Sequence, residues 1–166
     1  LIVSKPHPDC IRAICDGFNE YRQQILFRFT IGSTDHETLR FWEPYAPSYE
    51  ERIESLMHAY HSGFSTSISI EPMLSTNVEV LIGQLRPFVT DAIWLGRGKH
   101  MMSRLKLNGY GDSETMDKAK KLITDLSDAF IKELYSVFQH DPQIKWKDSL
   151  KKVTGIPMPT EPGRDI

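Results

Sequence analysis

Polar side chains that can hold a ligand stand at the ends of four segments that we predict to be β-strands. Lys5 ends the first segment, Thr30 and Ser33 end the second, Glu71 ends the third and Gly96 ends the fourth. Ammonium, hydroxyl and carboxylate groups can bond a small polar molecule, and a glycine lets a flat group approach the backbone. Because parallel barrels bind their ligands at the carboxyl ends of the strands, these five residues are our candidate site.

Each candidate also has a purely structural interpretation. Lys5 can be a solvated side chain at a strand end, and the two hydroxyl groups can cap a turn. A salt bridge to Arg28 on the neighbouring strand would account for Glu71. Glycine is common at strand ends without any ligand, so Gly96 alone does not indicate a site.

Other polar clusters are weaker candidates for a functional site. His58 and His61 are three residues apart on a predicted helix, but no further ligands follow at a matching spacing, so we predict no metal site. Arg97, Lys99 and His100 follow the fourth strand and would either meet a substrate phosphate or form a solvated loop. The sequence contains no Gly-rich phosphate loop, GxSxG motif or HExxH motif, which gives hydrolase and zinc-protease functions no support.

A second ion pair is predicted for structural reasons. Glu43 lies in the loop after the second strand, and Arg52 lies on the helix that follows that loop. A carboxylate bonded to a guanidinium would fix this Pro-rich connection, so we assign the pair to the architecture and not to the candidate site.

Composition and charge restrict the class of protein. The chain has 166 residues, of which 40% are hydrophobic and 25% charged, which predicts one globular domain with a core of its own. A net charge of −2 excludes a broad electrostatic grip on nucleic acid or an anionic membrane. No apolar run is long enough to span a bilayer. Cys10 and Cys15 fit neither a disulfide framework nor a zinc knuckle, so we expect reduced thiols and a cytoplasmic location.

Strands and helices alternate along the chain. Strands are predicted over 1–5, 25–31, 66–71 and 91–96. Helices are predicted over 8–22, 48–62, 77–85 and 113–139, with loops over 32–47 and, with or without a short irregular helix, 98–111. This alternation predicts a parallel sheet with right-handed crossovers.

The two faces of the predicted strands differ in polarity. Phe27 and Phe29 share one face of the second strand, whereas Arg28 and Thr30 share the other. A polar face is hard to bury in a parallel sheet unless it lines a lumen that holds a ligand. We therefore expect a partial (β/α) TIM-type barrel of about four parallel strands with outer helices and a C-terminal helical segment. A doubly wound open sheet is the alternative.

The chain divides into three predicted parts. Residues 1–112 form part of the barrel, 113–156 form a helical segment that packs on it, and 157–166, with three prolines in the first six positions, form a mobile tail. Because the sequence begins inside a predicted strand, we expect it to be cut from a longer protein.

An ordered series of short motifs resembles the radical SAM (S-adenosylmethionine) superfamily, in the branch that contains spore photoproduct lyase and the "DNA repair photolyase" proteins. The resemblance covers about residues 1–150. The motifs that carry it are Phe27-Arg28-Phe29-Thr30-Ile31-Gly32-Ser33, Trp42-Glu43-Pro44-Tyr45-Ala46-Pro47-Ser48, Glu51-Arg52-Ile53 and Ser69-Ile70-Glu71-Pro72.

The resemblance implies a SAM-binding role for the candidate residues. Lys5 would pair with the SAM carboxylate, and Thr30 or Ser33 would bond the ribose. Glu71 would lie near the ribose or the amino group, and Gly96 would let the adenine approach its strand. Catalytic residues are not assigned.

One family motif is absent. Radical SAM enzymes hold a [4Fe-4S] cluster with a CxxxCxxC motif, and this chain has only Cys10 and Cys15, on one predicted helix. The resemblance therefore implies that this chain is the C-terminal portion of a parent enzyme whose missing part holds the cluster ligands, or else a naturally truncated relative without the chemistry. The parent would be a lyase or related enzyme that generates a 5′-deoxyadenosyl radical for hydrogen abstraction. Its substrate is unknown, with a DNA lesion as one candidate.

The alternative function is a non-catalytic module, derived from a barrel, that binds a ligand or a protein. In either case the exposed edges of a partial barrel predict self-association.

Overall fold

The computed structural model describes residues 1–158 and 160 and shows an α/β protein. Its strands are β1 (Ile2–Ser4), β2 (Leu26–Thr30), β3 (Ser65–Ile70), β4 (Ile93–Leu95) and β5 (Ile144–Trp146). Its helices are α1 (Pro8–Gly17), α2 (His36–Trp42), α3 (Tyr49–His61), α4 (Val78–Leu85), α5 (Met101–Leu107), α6 (Ser113–Asp125), α7 (Asp128–Phe138) and α8 (Asp148–Thr154). Short 3-10 helices follow α1 and α4, over Asn19–Gln24 and Arg86–Phe88.

The five strands form one parallel sheet in the order β1-β2-β3-β4-β5. Spatial order therefore follows chain order without a reversal. Right-handed crossovers that always advance in one direction place the connecting helices on one face of the sheet. A doubly wound sheet needs a reversal of strand order, which this sheet lacks. The topology is compatible with part of a β/α barrel.

The helices begin at side chains that bond their first free backbone N–H groups. The α3 helix has a complete capping box, in which Ser48 accepts from the Glu51 N–H and Glu51 accepts from the Ser48 N–H. Asp35 caps α2 by accepting from the Thr38 N–H at 2.7 Å. Such caps stabilise a helix by about 1 kcal/mol each, which helps elements as short as α2 to form.

One face of the sheet forms the core. Alternate strand residues on this apolar face are fully buried, and they are Phe27, Phe29, Ile68, Ile70, Ile93 and Leu95. The cluster continues into the helices through Leu56, Leu81 and Leu134. Burying each of these side chains stabilises the fold by roughly 1.5–3 kcal/mol, so this face determines the register of the strands.

The opposite alternation gives a polar face. Residues paired across neighbouring strands carry its side chains, namely Val3, Arg28, Thr30, Ser67, Ser69, Trp94 and Lys145. Lys5, Glu71 and Lys147 continue the same alternation just beyond the strand ends. We call these residues the polar face, and they correspond to the polar surface expected from the sequence.

The segment 113–156 differs from its prediction as a purely helical region. It contributes β5, which pairs with β4 along Ile93↔Ile144 and Leu95↔Trp146. The sheet therefore has five strands and not about four. A strand of three residues is too short to show an alternating pattern in the sequence. Its backbone pairing with β4 stabilises the extended conformation, which the local sequence alone does not specify.

The predicted helix over 113–139 is two helices. Ser127 interrupts it by accepting from the Phe130 N–H and capping α7. The interruption changes the buried stripe. Ile123 and Val137 would lie on the apolar stripe of one continuous helix, but they are 47% and 54% exposed. The prediction assumed that one helix continues through Ser127, whereas Ser127 ends that continuity by capping a second helix.

Two other boundaries also differ. The predicted loop over 32–47 contains α2, and the predicted helix over 8–22 ends at Gly17 and continues as a 3-10 helix. The segment 98–111 contains the short helix α5. Of the predicted mobile tail, residues 159 and 161–166 lie outside the described part of the chain. Among the described residues, the helices are too short or too polar to cross a membrane.

Candidate functional site

The residues that follow the strands form the carboxyl edge of the sheet, where an ion-pair chain begins at Lys5. The Lys5 Nζ atom lies 3.4 Å from Oε1 of Glu43, and the second oxygen of Glu43 lies 2.7 Å from Nη1 of Arg52. Glu43 is thus held between two cations. This arrangement gives Lys5 an internal carboxylate partner.

Arg52 fixes the connection between β2 and α3. Its side chain is fully buried, its Nε donates to the Pro47 carbonyl at 2.7 Å, and Nη1 donates to the Thr30 carbonyl at 3.2 Å. The predicted pair of Glu43 and Arg52 is therefore present, in the structural role expected for it. Because the guanidinium joins a loop, a strand and a carboxylate, it holds Glu43 in a fixed position beside the sheet.

Glu71 lies over the end of the neighbouring strand. A Cβ atom on Gly96 would be 2.9 Å from the Cγ, Cδ and Oε1 atoms of Glu71, which is closer than real contacts allow. The glycine at this position therefore makes room for the Glu71 side chain. Glu71 pairs with Lys147 at 3.9 Å, and not with Arg28, whose carboxylate neighbour is Asp91 at 3.7 Å.

A cleft of about 600 Å³ opens at the carboxyl edge. Its charged lining comes from two carboxylates and two cations, which are Glu43, Glu71, Lys99 and Arg104. Its apolar lining comes from both sides, through Trp42, Leu74, Met101, Leu105 and Tyr110. The volume lies in the range of sites that hold a cofactor-sized molecule.

The structure brings only part of the predicted set to this cleft. Glu71 lines it, whereas Lys5, Thr30, Ser33 and Gly96 do not. Ser33 is buried, and its hydroxyl accepts from the Asp35 N–H at 3.0 Å, so it supports the turn that leads into α2. Lys5 forms an ion pair with Glu43, which lines the cleft. Gly96 lies beneath the side chain of Glu71, which also lines it.

Sequence reasoning missed Arg104 as a lining residue. It lies on α5, in a segment where a loop was also expected, and its side chain faces the same cleft as Glu71. The stretch from Asp91 to Asp112 contains no acidic residue between those two positions, while Arg97, Lys99, Arg104 and Lys106 all fall within it. That local excess of positive charge was the available signal.

The potential metal ligands and the two thiols lie apart from one another in residues 1–158 and 160. No three His, Cys, Asp or Glu side chains are grouped there so as to hold a metal ion. Cys10 is exposed and Cys15 is buried, and burial raises the pKa of the Cys15 thiol above its ordinary value. The ring of His61 contacts Tyr60 edge-on, and His58 lies 3.5 Å from the Ser62 hydroxyl, so neither imidazole is part of a ligand set.

The edge therefore presents an amphipathic cleft with one carboxylate after β2 and another after β3, and the first of them is held by Arg52. Such a cleft can bind a zwitterionic molecule that also carries an apolar ring. No family model, curated protein or solved structure matches the chain.

Proposed function

We propose that the cleft at the carboxyl edge binds S-adenosylmethionine and that the chain is the SAM-binding portion of a radical SAM enzyme of the spore photoproduct lyase-like branch. The observation that carries the proposal is the lining of the cleft. It combines Glu71 and Glu43 with Lys99 and Arg104 around apolar walls.

Several chemical groups of SAM have counterparts of opposite charge in that lining. A carboxylate such as Glu71 suits the ribose hydroxyls or the ammonium group of the methionine part, and a guanidinium such as Arg104 suits the carboxylate. The side chains of Leu74, Met101 and Tyr110 offer an apolar wall for the adenine ring. Lys5 would act through Glu43, which it holds by an ion pair, more than by direct contact.

The fold supports the same assignment. Strands in sequential order with a polar face are what part of a β/α barrel would present toward its lumen, and the ligand of such a barrel lies at the carboxyl ends of the strands. We therefore include a partial barrel in the proposal, with the polar face toward the lumen.

The iron–sulfur cluster of this superfamily does not fit the described residues. A [4Fe-4S] cluster needs several thiolates around one point, and Cys10 and Cys15 occupy one helix, the first exposed and the second in the core. The proposal gives these residues the task of binding and orienting SAM, and it assigns them no electron-transfer or radical step.

Calorimetric titration of SAM into the protein tests the proposal. We expect saturable binding, and we expect Glu71→Gln to weaken it by about tenfold because a charged acceptor becomes a neutral one. Glu79→Gln on the exposed surface of α4 removes the same charge away from the cleft and should leave the affinity unchanged. Arg104→Gln should weaken SAM binding and have a smaller effect on 5′-deoxyadenosine binding, because the latter lacks the carboxylate.

Absence of saturable binding at millimolar SAM would overturn the proposal. The alternative, a non-catalytic module that binds another ligand or a protein, would then be the better interpretation. Equal loss of affinity in Glu71→Gln and Glu79→Gln would likewise remove the cleft from the SAM site, since that pattern indicates a general charge effect.

A further inference from the structure

The indole of Trp94 is a buried hydrogen-bond donor without an acceptor. Trp94 lies in the centre of β4 on the polar face, and only 7% of it is exposed. Its Nε1 atom has no hydrogen-bond partner among residues 1–158 and 160. Buried indole N–H groups ordinarily find an acceptor, so this one marks a place where an acceptor from another molecule would be favourable.

Three cationic side chains surround that indole. The Arg28 guanidinium carbon lies 4.8 Å from the centroid of the Trp94 ring, and the Lys147 Nζ lies 5.0 Å from it. Lys145 pairs with Trp94 across β4 and β5, and its side chain therefore emerges on the same face. The cations come from β2, from β5 and from the residue after β5, so they approach the indole from two sides of β4.

The acidic partners of Arg28 and Lys147 lie near the outer limit of an ion pair. Asp91 lies 3.7 Å from Arg28 and Glu71 lies 3.9 Å from Lys147, both longer than a charge-assisted hydrogen bond. Lys145 has no ion pair within the described part of the chain. By contrast, Arg97 meets Asp128 at 2.7 Å elsewhere in the molecule. Positive charge around Trp94 is therefore incompletely neutralised by the protein.

Ser67 determines how Arg28 presents its donors. The Ser67 hydroxyl donates to the Ala92 carbonyl at 2.7 Å and accepts from Arg28 Nε at 3.2 Å. The hydroxyl is thus fully used inside the sheet, and it fixes the guanidinium by one edge. Neither Nη group donates a hydrogen bond within the described residues, although Nη2 lies 3.7 Å from Asp91, so both groups can donate to a ligand.

We propose that the polar face binds an oxyanion, a phosphate or carboxylate group of a ligand, between Trp94 and the side chains of Arg28, Lys145 and Lys147. Three cations and the indole N–H face only two carboxylates, Asp91 and Glu71, so an anion would satisfy the indole and the remaining positive charge together. The site lies below the cleft, because Trp94 pairs with Ser69, two residues before Glu71. The inference stands on the polar face alone and does not require SAM to bind the cleft.

The three tryptophans, at 42, 94 and 146, provide a direct probe, since each indole N–H gives one signal in a ¹H–¹⁵N correlation spectrum. Trp94→Phe identifies the Trp94 signal by its disappearance. We expect inorganic phosphate, titrated at constant ionic strength against chloride, to shift that signal saturably and to leave the Trp42 signal in place. A parallel titration with acetate shows whether the site prefers a phosphoryl or a carboxyl group.

Lys145→Gln tests the site without disturbing the core, because its side chain is half-buried. It should weaken the binding of the preferred anion by about tenfold through loss of one charge-assisted bond. Lys132→Gln, on the exposed surface of α7, removes the same charge at a distance and should change nothing. The proposal is overturned if neither anion shifts the Trp94 signal saturably, or if the two lysine variants respond alike.

Discussion

The Arg52 guanidinium lies 2.7 Å from the Glu43 carboxylate and is fully buried behind it. The pair closes the connection between β2 and α3, and the same carboxylate carries Lys5 on its solvent side. Ion pairs whose partners are removed from water are costly to break singly, since the remaining charge stays buried. The integrity of the carboxyl edge therefore depends on this contact.

Arg52→Ala should lower the free energy of unfolding by about 3 kcal/mol, because it removes both backbone bonds and leaves Glu43 with Lys5 alone. Urea unfolding followed by circular dichroism measures the change. Arg12→Ala is the matched control, since Arg12 pairs with Asp9 and Glu54 on the surface, where the loss should stay below about 1 kcal/mol. Equal losses in the two variants would contradict the role given to Arg52.

Gly96→Ala should destabilise the protein by about 1 kcal/mol, because the new methyl group would overlap the Glu71 side chain and force it to move. Adding Glu71→Ala should restore much of the loss, which a double-mutant cycle of unfolding free energies would detect as coupling. Gly83→Ala in α4 has open space around it and should instead stabilise the helix by about 0.5–1 kcal/mol. Additive effects at positions 71 and 96 would show that the close approach does not matter.

The Asp35 carboxyl should make the free energy of unfolding decrease as the pH falls into the acid range. Hydrogen bonds from Thr38, first from its side chain and then from its backbone N–H, lower the pKa of the Asp35 carboxyl below its ordinary value. A carboxyl whose pKa is lower in the folded state contributes stability above its unfolded pKa and loses it as the pH falls through the folded pKa.

Asp35→Asn keeps a good helix cap and should flatten that part of the acid-side decline, while stability at pH 7 changes little. Asp35→Ala should cost about 1 kcal/mol at pH 7, because the cap is lost. Urea unfolding at pH 3 and pH 7 compares the three proteins. An unchanged pH dependence in Asp35→Asn would show that the cap does not depend on the charge.

Both outer strands of the sheet predict association. In the described part of the chain, β1 is paired only with β2 and β5 only with β4, and Val3 on β1 is 61% exposed. Unpaired strand edges with apolar side chains join readily with other strands. Light scattering should show a mass that rises with concentration, and Val3→Lys should reduce the rise.

Val80→Lys is the control for association. Val80 has a similar exposure, 56%, but lies on α4 away from the sheet edges, so its replacement should leave the association unchanged. A constant monomer mass across the concentration range would refute the prediction for both edges.

Local signals in the sequence were sufficient for some elements and insufficient for others. The capping box of Ser48 and Glu51 located α3 because both of its bonds lie within four residues. The polar face followed from the alternation in β2, which reports side-chain direction directly. In contrast, β5 exists because β4 is beside it, and no pattern within Ile144–Trp146 shows that.

The candidate site divides in the same way. Glu71 was placed at the carboxyl edge because a residue at the end of a predicted strand has a predictable position there, and in the structure it lines the cleft. Arg104 was missed because its place in the cleft depends on how α5 folds back over the edge, which is a tertiary property. For Ser33 the sequence leaves two interpretations open, since a hydroxyl that supports a turn and a hydroxyl that binds a ligand have the same residue type and position. The bond from the Asp35 N–H shows the turn contact.

Because each strand pairs with the one that precedes it in the chain, the sheet is suited to assembly during synthesis. When β3 leaves the ribosome, β2 is already available as its template, and the same holds for β4 on β3. After β1, each described strand finds one partner already synthesised, so the growing edge is always the newest strand. Only β5 comes after a long interval, the 48 residues from 96 to 143 that contain α5, α6 and α7. Loop closure over that interval is the slowest pairing to form, so we expect β4 to remain exposed longest on the nascent chain.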